Sequence, residues 1–301
     1  MDYQWYPGHM TRARRQMEED IRLIDLVIEL TDARAPLSSR NQDIDAIARG
    51  KGRILVMNKA DLADPELSRA WSAYFETQYG LKSALINSRE KNGVRVIRPL
   101  IDEAVREKTE RDRKRGIVNR PVRMMIVGIP NVGKSTFINS FAGKSAAKTG
   151  NKPGVTKGKQ WIAAGKNLQL LDTPGILWPK FDDQQVGMRL AMLGGIRDEI
   201  LQSAELALAL IDCLRQEYPG VILRRYQVPE EGSGAEILEK IAVARNCLKP
   251  GPEPDYDKAS SLVLDDLRSG RLGRITLERP EGGSSAWQEE GEEKSVPGGS
   301  S

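Results

Sequence analysis

The segment GIPNVGKST at positions 128–136 has the residue types of a phosphate-binding loop. It fits the pattern G-x-x-x-x-G-K-[ST], follows the apolar run VRMMIV and precedes FINSFAG, whose composition favours a helix. Gly128 and Gly133 let the backbone curl, so that its N–H groups can point at phosphate oxygens. We expect Lys134 to contact the β- and γ-phosphates and Ser135 to ligate Mg²⁺. A chance match on a glycine-rich turn is the alternative, and the flanking strand and helix argue against it.

Two further segments complete a triphosphate site. LLDTPG at 170–175 places Asp172 at a strand end, where its carboxylate can hold Mg²⁺ through a water, and Gly175 can offer its N–H to the γ-phosphate. Thr156, in PGVTKG, is the expected second hydroxyl ligand of Mg²⁺. Loss of the γ-phosphate would release both segments, which predicts a two-state switch. The expected phosphate and metal contacts are Asn131, Val132, Gly133, Lys134, Ser135, Thr136, Thr156, Asp172 and Gly175.

The segment NKAD at 58–61 is typical of a site that selects guanine. Guanine presents two adjacent donors, its ring N–H and its exocyclic amine, and the Asp61 carboxylate can accept both, whereas adenine lacks that pair. We expect Asn58 to tie this loop to the phosphate loop and the stem of Lys59 to cover the base. Ser88, after ALIN, stands where a third base-contacting loop is expected. NKAD alone is a weak signal, and the phosphate motifs make it a strong one.

Six short apolar runs that end in polar loop residues predict strands, and helical patterns lie between several of them. This alternation favours an α/β fold with a mostly parallel sheet and helices on both faces. The base motif precedes the phosphate loop, the reverse of the order in an ordinary GTPase. Cutting such a domain and rejoining its old ends leaves the sheet and the nucleotide contacts unchanged. The order therefore predicts a circularly permuted P-loop GTPase domain, with strands at 25–32, 53–59, 82–88, 122–128, 160–165 and 168–173.

After DTPGILWPK the pattern changes to helices, which predicts a small all-helical domain. In SGAEILEKIAVARNCL, Ser233 and Glu236 have capping-box spacing, and YDKASSLVLDDLRSG is expected to end a helix at Gly270. The Gly/Ser/Glu-rich end of the chain is predicted to be disordered. The predicted units are a GTPase domain at 1–178, a helical domain at 179–280 and a tail at 281–301.

The order of these motifs resembles that of the ribosome biogenesis GTPase A family of circularly permuted GTPases. The resemblance covers about residues 1–280 and rests on WYPGHM, TDARAP, GIPNVGKST and DTPGILWPKF. It implies a bacterial cytoplasmic enzyme that hydrolyses GTP to GDP and helps to complete the large ribosomal subunit. It also implies stimulation by the ribosomal particle, whose precursor is the expected partner, and a helical domain that contacts RNA. A GTP-gated assembly placeholder, in which hydrolysis only times departure, stays open as the alternative.

The residue that orients the attacking water is not the one that many GTPases use. Many GTPases have glutamine directly after D-x-x-G, but this chain has Ile176, an apolar residue that the family shares. His9, the only histidine, has suitable chemistry and follows a Pro-Gly pair. Asn131 is the other candidate, since related GTPases with asparagine there bind K⁺, which would stabilise developing negative charge. The competing interpretation makes His9 part of an RNA-binding foot with Arg12, Arg14 and Arg15.

Charge and composition bound the remaining possibilities. The segment 106–123 holds eight basic residues against three acids, which suits nucleic acid and equally suits a solvated helix. Cys213 and Cys247 are expected to be free thiols. No apolar run approaches the roughly 20 residues of a membrane span, so we expect a cytoplasmic protein without membrane contact. We also expect a monomer. Asp32 and Arg34 are expected to order a local turn, and packing is favoured over RNA stacking for the aromatics Trp161, Trp178 and Phe181.

Overall fold

The computed structural model describes residues 7–90, 94–118, 120–143, 160–165, 167–172, 183–196 and 203–280, with backbone alone for 7–13 and 160. Six strands in these residues form one sheet in the order β3-β2-β1-β4-β6-β5. Neighbouring strands pair in parallel except β5, which runs antiparallel to β6. The predicted mostly parallel sheet is confirmed. The strands are β1 (Leu26–Asp32), β2 (Gly52–Asn58), β3 (Ser83–Leu85), β4 (Val122–Gly128), β5 (Gln160–Ala163) and β6 (Leu168–Asp172).

Helices cover both faces of this sheet and continue after it. Two predicted helix signals are confirmed: Ser233 and Glu236 form a capping box, and Gly270 ends its helix at φ 78°. Asp64 caps another helix by accepting from two N–H groups of its first turn. The described helices are α1 (Pro7–Asp20), α2 (Ile44–Ile47), α3 (Pro65–Tyr79), α4 (Ile97–Ala104), α5 (Arg106–Lys114), α6 (Lys134–Ala142), α7 (Gln184–Met192), α8 (Ser203–Glu217), α9 (Val221–Tyr226), α10 (Gly234–Ala244) and α11 (Tyr256–Ser269).

Side chains alternate between two cores along each central strand. On β1, Leu26, Ile28 and Leu30 pack into the larger core, while Val27 faces a second core with Met17 and other residues. This period of two is what strands buried on both faces require. The larger core continues without a break into α8, α10 and α11, so the boundary at residue 178 stays a prediction.

The register brings the chemistry-bearing residues to one edge of the sheet. Asp32 lies opposite Asn58, Leu30 opposite Gly128, and Ile126 opposite Asp172. The carboxyl ends of β1, β2, β4 and β6 therefore meet along this edge, where open α/β sheets bind their ligands.

The last described residues follow the end of α11, which lies at Gly270 as predicted, and they are not helical. Gly270 and Gly273 have φ of 78° and 98°, which ends α11 and turns the chain. The chain then runs back to the sheet unit, where the N–H of Ile275 donates to the Leu62 carbonyl and that of Leu277 to the Arg34 carbonyl. The apolar side chains of Ile275 and Leu277 are buried, which favours this return over a free helix end.

Glu278 fixes the returning segment through a buried carboxylate. Its oxygens accept from the backbone N–H groups of Leu37 and Ser38 and from the Ser38 hydroxyl. In addition, Arg189 Nη1 lies 3.4 Å from Glu278 Oε2. We expect Glu278→Ala to lower the free energy of unfolding by about 2–4 kcal/mol, because several buried donors lose their acceptor. Urea denaturation measures this. Glu239→Ala, at an exposed position of α10, is the control and should change it by less than about 0.5 kcal/mol; equal losses would contradict the anchoring role.

Two composition-based expectations are also resolved. Cys213 and Cys247 are free thiols, as predicted, and the structure adds that both are buried. Among the helices of the described residues, none is long and apolar enough to cross a bilayer.

Candidate nucleotide-binding site

The phosphate motif forms a tight turn between β4 and the start of α6. A Cβ atom on Gly133, whose φ is 96°, would lie 2.4 Å from the Nδ2 of Asn58, and one on Gly128 would lie 2.8 Å from the Leu30 carbonyl oxygen. Both positions therefore require glycine. The first N–H groups of α6 have no partner within the helix and carry its positive dipole end. A strand, a turn and a helix N-terminus in this arrangement suit a phosphate group.

Lys134 and Asp172 form a buried ion pair beside this turn. Lys134 Nζ lies 2.8 Å from Asp172 Oδ1, and the two residues are 7% and 2% exposed. Burial lowers the pKa of Lys134, and the Asp172 charge opposes that effect. Ser135 follows in the first turn of α6. A carboxylate and a hydroxyl near a phosphate loop are oxygen donors of the kind that Mg²⁺ prefers, so these residues fit the metal.

Asn58 joins three loops at the carboxyl edge of the sheet. Its Nδ2 donates to the Val132 carbonyl over 2.8 Å, and its Oδ1 accepts from the Ser88 N–H at 3.0 Å and from the Ser88 hydroxyl at 2.8 Å. Asn58 is 3% exposed, so each of these bonds replaces water in a closed environment. The base motif, the phosphate loop and the loop after β3 are thereby held in direct contact.

Lys59 makes a second bridge between the base motif and the phosphate loop. Its Nζ donates to the Asn131 carbonyl oxygen over 2.8 Å and lies 2.8 Å from Asp32 Oδ2. Burial lowers the pKa of Lys59, while Asp32 opposes that effect. Lys59 and Asn131 both adopt left-handed backbone conformations, with φ of 60° and 61°. Such conformations are uncommon outside glycine and concentrate at functional sites. Asp61 follows in an exposed turn, with its carboxylate accessible to a ligand.

Sequence reasoning missed the role of Asp32. It predicted that Asp32 and Arg34 order a turn, and the N–H of Arg34 does donate to Asp32 Oδ1 over 3.1 Å. The same carboxylate also contacts Lys59, which places Asp32 directly against the NKAD segment at 58–61, the base loop. The available signal was its position, since Asp32 ends β1 as Asn58 ends the neighbouring β2.

Several predicted site residues fall outside what the structure describes. Thr156, Gly175 and Ile176 belong to undescribed segments, and so does the tail at 281–301. His9 lies in α1 by its backbone, but its side chain is not described. The roles assigned to these residues stay predictions.

The basic segment 106–123 divides into paired and solvent-facing groups. Lys108 and Arg120 form ion pairs with Asp25 and Asp112. Further along, the Arg123 guanidinium lies 5.4 Å from the centroid of an exposed aromatic ring, that of Trp161. Besides Arg120, the exposed basic residues of this segment are Arg106, Arg111, Arg113, Lys114 and Arg115.

Comparisons with known proteins place this geometry among GTPases. Residues 123–241 match the family model described as 50S ribosome-binding GTPase. Ribosome biogenesis GTPase A of Bacillus cereus is 49% identical over 93% of this chain and 95% of its own length. The protein of the same name from Bacillus pumilus is 45% identical over 93% and 100%, and that from Thermotoga maritima 32% identical over 92% and 94%.

Solved structures give the same result. GDP-bound TM YlqF superposes with a TM-score of 0.64 at 28% identity, over 89% of this chain and 100% of that one. GNP-bound YlqF from T. maritima gives a TM-score of 0.63 at 28% identity, over 90% and 99%. The similarity spans the sheet unit and the helices that follow it.

Proposed function

The chain belongs to the ribosome biogenesis GTPase A family, and from that premise we propose that it acts late in assembly of the large ribosomal subunit. In this proposal its nucleotide state controls docking on the subunit precursor and release from it. The observation that carries the proposal is the joining of the base and phosphate loops by Asn58 and Lys59. One nucleotide can then touch both loops, with guanine at Asp61 and phosphates at Lys134.

In this proposal the phosphate loop binds the phosphates of the nucleotide mainly through charge. Lys134 supplies a buried ammonium group for the β- and γ-phosphates, and the N–H groups of the turn and of α6 add donors. Ser135, Thr156 and Asp172 would hold Mg²⁺, which when bound neutralises charge on the transferred phosphate. The Gly175 N–H would donate to the γ-phosphate, and hydrolysis would remove this contact.

Water activation is assigned to groups other than the residue after D-x-x-G, since Ile176 can neither donate nor accept a hydrogen bond. We propose K⁺ beside the phosphates at Asn131, or His9 from the N-terminal helix, as that group. The side-chain nitrogen of Asn131 donates to the Gly194 carbonyl over 2.5 Å, and its amide oxygen is the atom that K⁺ would use. Hydrolysis that waits for the ribosomal particle would then couple chemistry to docking.

An RNA partner is supported by the exposed basic residues of α5 and of the turn after it. Arg113 and Lys114 at the end of this helix and Arg115 directly after it are exposed and adjacent. Phosphate contacts by such residues supply much of the affinity for RNA. We propose ribosomal RNA of the large-subunit precursor as the polyanion that they meet.

Phosphate release from GTP and from ATP, with and without purified precursor particles, tests the proposal. We expect GTP turnover to exceed ATP turnover by about a hundredfold, because Asp61 can satisfy only guanine's donor pair. Precursor particles should raise the GTP rate by about tenfold or more, and K⁺ should support a higher rate than Na⁺ at equal ionic strength.

Two outcomes contradict parts of this proposal. Equal rates with GTP and ATP would remove the guanine site, and an unchanged GTP rate with precursor particles would remove the assembly role. A maturation assay with a non-hydrolysable GTP analogue separates the alternative. Normal maturation with the protein trapped on the particle would favour a placeholder whose hydrolysis only times departure.

A further inference from the structure

A chain of buried contacts leads from the base loop to the last helix. Asp32 Oδ2 lies 2.8 Å from Lys59 Nζ, and Arg34 grips the same carboxylate with Nε at 2.9 Å and Nη2 at 2.8 Å. Asp32 and Arg34 are 2% and 1% exposed. Burial alone would raise the pKa of Asp32, but Arg34 and Lys59 hold it well below its ordinary range. The carboxylate is therefore charged and fixed between two cations.

Arg34 extends this contact to α11 with its remaining nitrogen. Its Nη1 donates to the Leu267 carbonyl over 3.1 Å and to the Arg268 carbonyl over 3.3 Å. These carbonyls belong to the last turn of α11, where the helix dipole attracts a cation, and the Leu267 oxygen also accepts from the N–H of the capping Gly270. The Arg34 guanidinium thus connects Asp32, which holds Lys59, to the end of α11, more than 200 residues away in sequence.

The contacts return to the phosphate loop along a second path. Arg268 donates from Nε to the Met192 carbonyl over 3.0 Å and from Nη2 to the Ala191 carbonyl over 2.9 Å, at the end of α7. Two residues further on, the Gly194 carbonyl accepts from Asn131 Nδ2. Because Asn131 also accepts from Lys59, the contacts form a closed ring through both nucleotide loops, α7 and α11.

We propose that Asp32 and Arg34 are positioning residues for the guanine nucleotide, and that Arg34 makes nucleotide affinity depend on the docking of α11. This inference rests on the proposed function. Asp32 holds the Lys59 ammonium at the phosphate loop, so that the lysine stem lies where it covers the base. Arg34 keeps this hold on Asp32 only while the carbonyls at the end of α11 accept from its Nη1. By linkage, a partner that displaces the end of α11 weakens nucleotide binding, and the nucleotide in turn stabilises that end.

Arg34→Lys in the full chain tests this proposal, because one ammonium group cannot reach Asp32 and α11 as the guanidinium does. Arg40→Lys is the matched control. Arg40 is equally buried, with 1% of its surface exposed, and pairs with Glu29 and Asp45, which are not members of the closed ring of contacts. The readouts are the Kd for fluorescent GDP, the thermal midpoint, and amide exchange of residues 264–270 with and without GDP.

We expect Arg34→Lys to raise the Kd for GDP about five- to tenfold above that of Arg40→Lys, whatever the two losses in thermal midpoint. GDP should slow amide exchange at 264–270 in the wild type and in Arg40→Lys, and not in Arg34→Lys. Equal Kd values in the two variants, or GDP-dependent protection that persists without Arg34, would overturn the inference.

Arg268→Met keeps the proposal testable should Arg34→Lys fail to fold, since the Arg268 side chain is partly exposed and donates to the carbonyls at the end of α7. It opens the ring at α7, and the Kd for GDP should again rise; an unchanged Kd counts against coupling. A wild-type chain that binds no GDP would instead refute the proposed function, so the two failures are distinguishable.

Discussion

Lys134→Ala is expected to raise the Kd for GDP and GTP by about a hundredfold or more and to remove measurable GTP hydrolysis. Lys134 is the buried cation of the phosphate loop, and its partner Asp172 is also buried. Without the ammonium group, the polyphosphate would approach the Asp172 carboxylate with no fixed charge between them. Charge-assisted contacts in a buried site contribute about 1.5–3 kcal/mol each, and like-charge repulsion adds to their loss.

Calorimetric titration with GDP and Mg²⁺ gives the affinity, and single-turnover phosphate release gives the chemistry. Lys82→Ala is the control, because Lys82 is an exposed lysine that pairs with Glu103 outside the nucleotide loops. It should leave both values within about twofold of wild type. A Lys134→Ala protein that keeps wild-type affinity would show that phosphates bind elsewhere, and the role of the G-x-x-x-x-G-K-[ST] turn would fall with it.

The sequence allowed most of the sheet to be predicted, because apolar runs of four to seven residues carry a strong local signal. The run at 82–88 is instructive, since only Ser83–Leu85 forms a strand. Within the described part of the chain β3 lies at the sheet edge and pairs with β2 alone, so fewer of its backbone groups take part in the ladder. Capping residues such as Asp64 and Ser233 were predictable for the same local reason.

Long-range contacts were beyond the reach of pattern reasoning. Nothing near Arg34 indicates that its guanidinium meets the end of α11, because that contact depends on how two distant elements pack. The return of the chain at 275–278 is similar: Ile275 and Glu278 look like the end of a helical unit, yet both are buried against residues 37–62. Local signals predict which loops would bind nucleotide, and the folded chain adds the contacts that hold those loops together.

The order of the motifs also determines which helices follow the phosphate site along the chain. The phosphate-loop strand β4 lies between β1 and β6, and the base-loop strand β2 lies on the far side of β1. This spatial arrangement needs no particular chain order, so the base motif can come first without changing the site. What the order does change is the exit from β6, because the chain continues from there into α7 and the helices that Arg268 and Arg34 connect to the nucleotide loops.

Asp61→Asn is expected to exchange the preferred base from guanine to xanthine. The carboxylate can accept both donors of guanine, whereas an asparagine amide offers one acceptor and one donor group. Its NH₂ would face guanine's exocyclic amine without an acceptor, but it can donate to the carbonyl oxygen that xanthine carries there. A site built on such bonds discriminates strongly, so we expect the ratio of Kd values for GTP and xanthosine triphosphate to change by about a thousandfold.

Asp64→Asn is the matched control, since it removes the same charge three residues away. Asp64 caps α3 by accepting from the N–H groups of Glu66 and Leu67, and asparagine caps helices about equally well. Both variants are titrated with GTP and with xanthosine triphosphate, and the ratio of the two Kd values is taken for each variant. A general loss of stability changes both Kd values alike, so it cancels in the ratio. The Asp64→Asn ratio should match wild type. If the Asp61→Asn ratio matches it as well, the carboxylate does not contact the exocyclic position, and guanine must be recognised by other atoms of the loop.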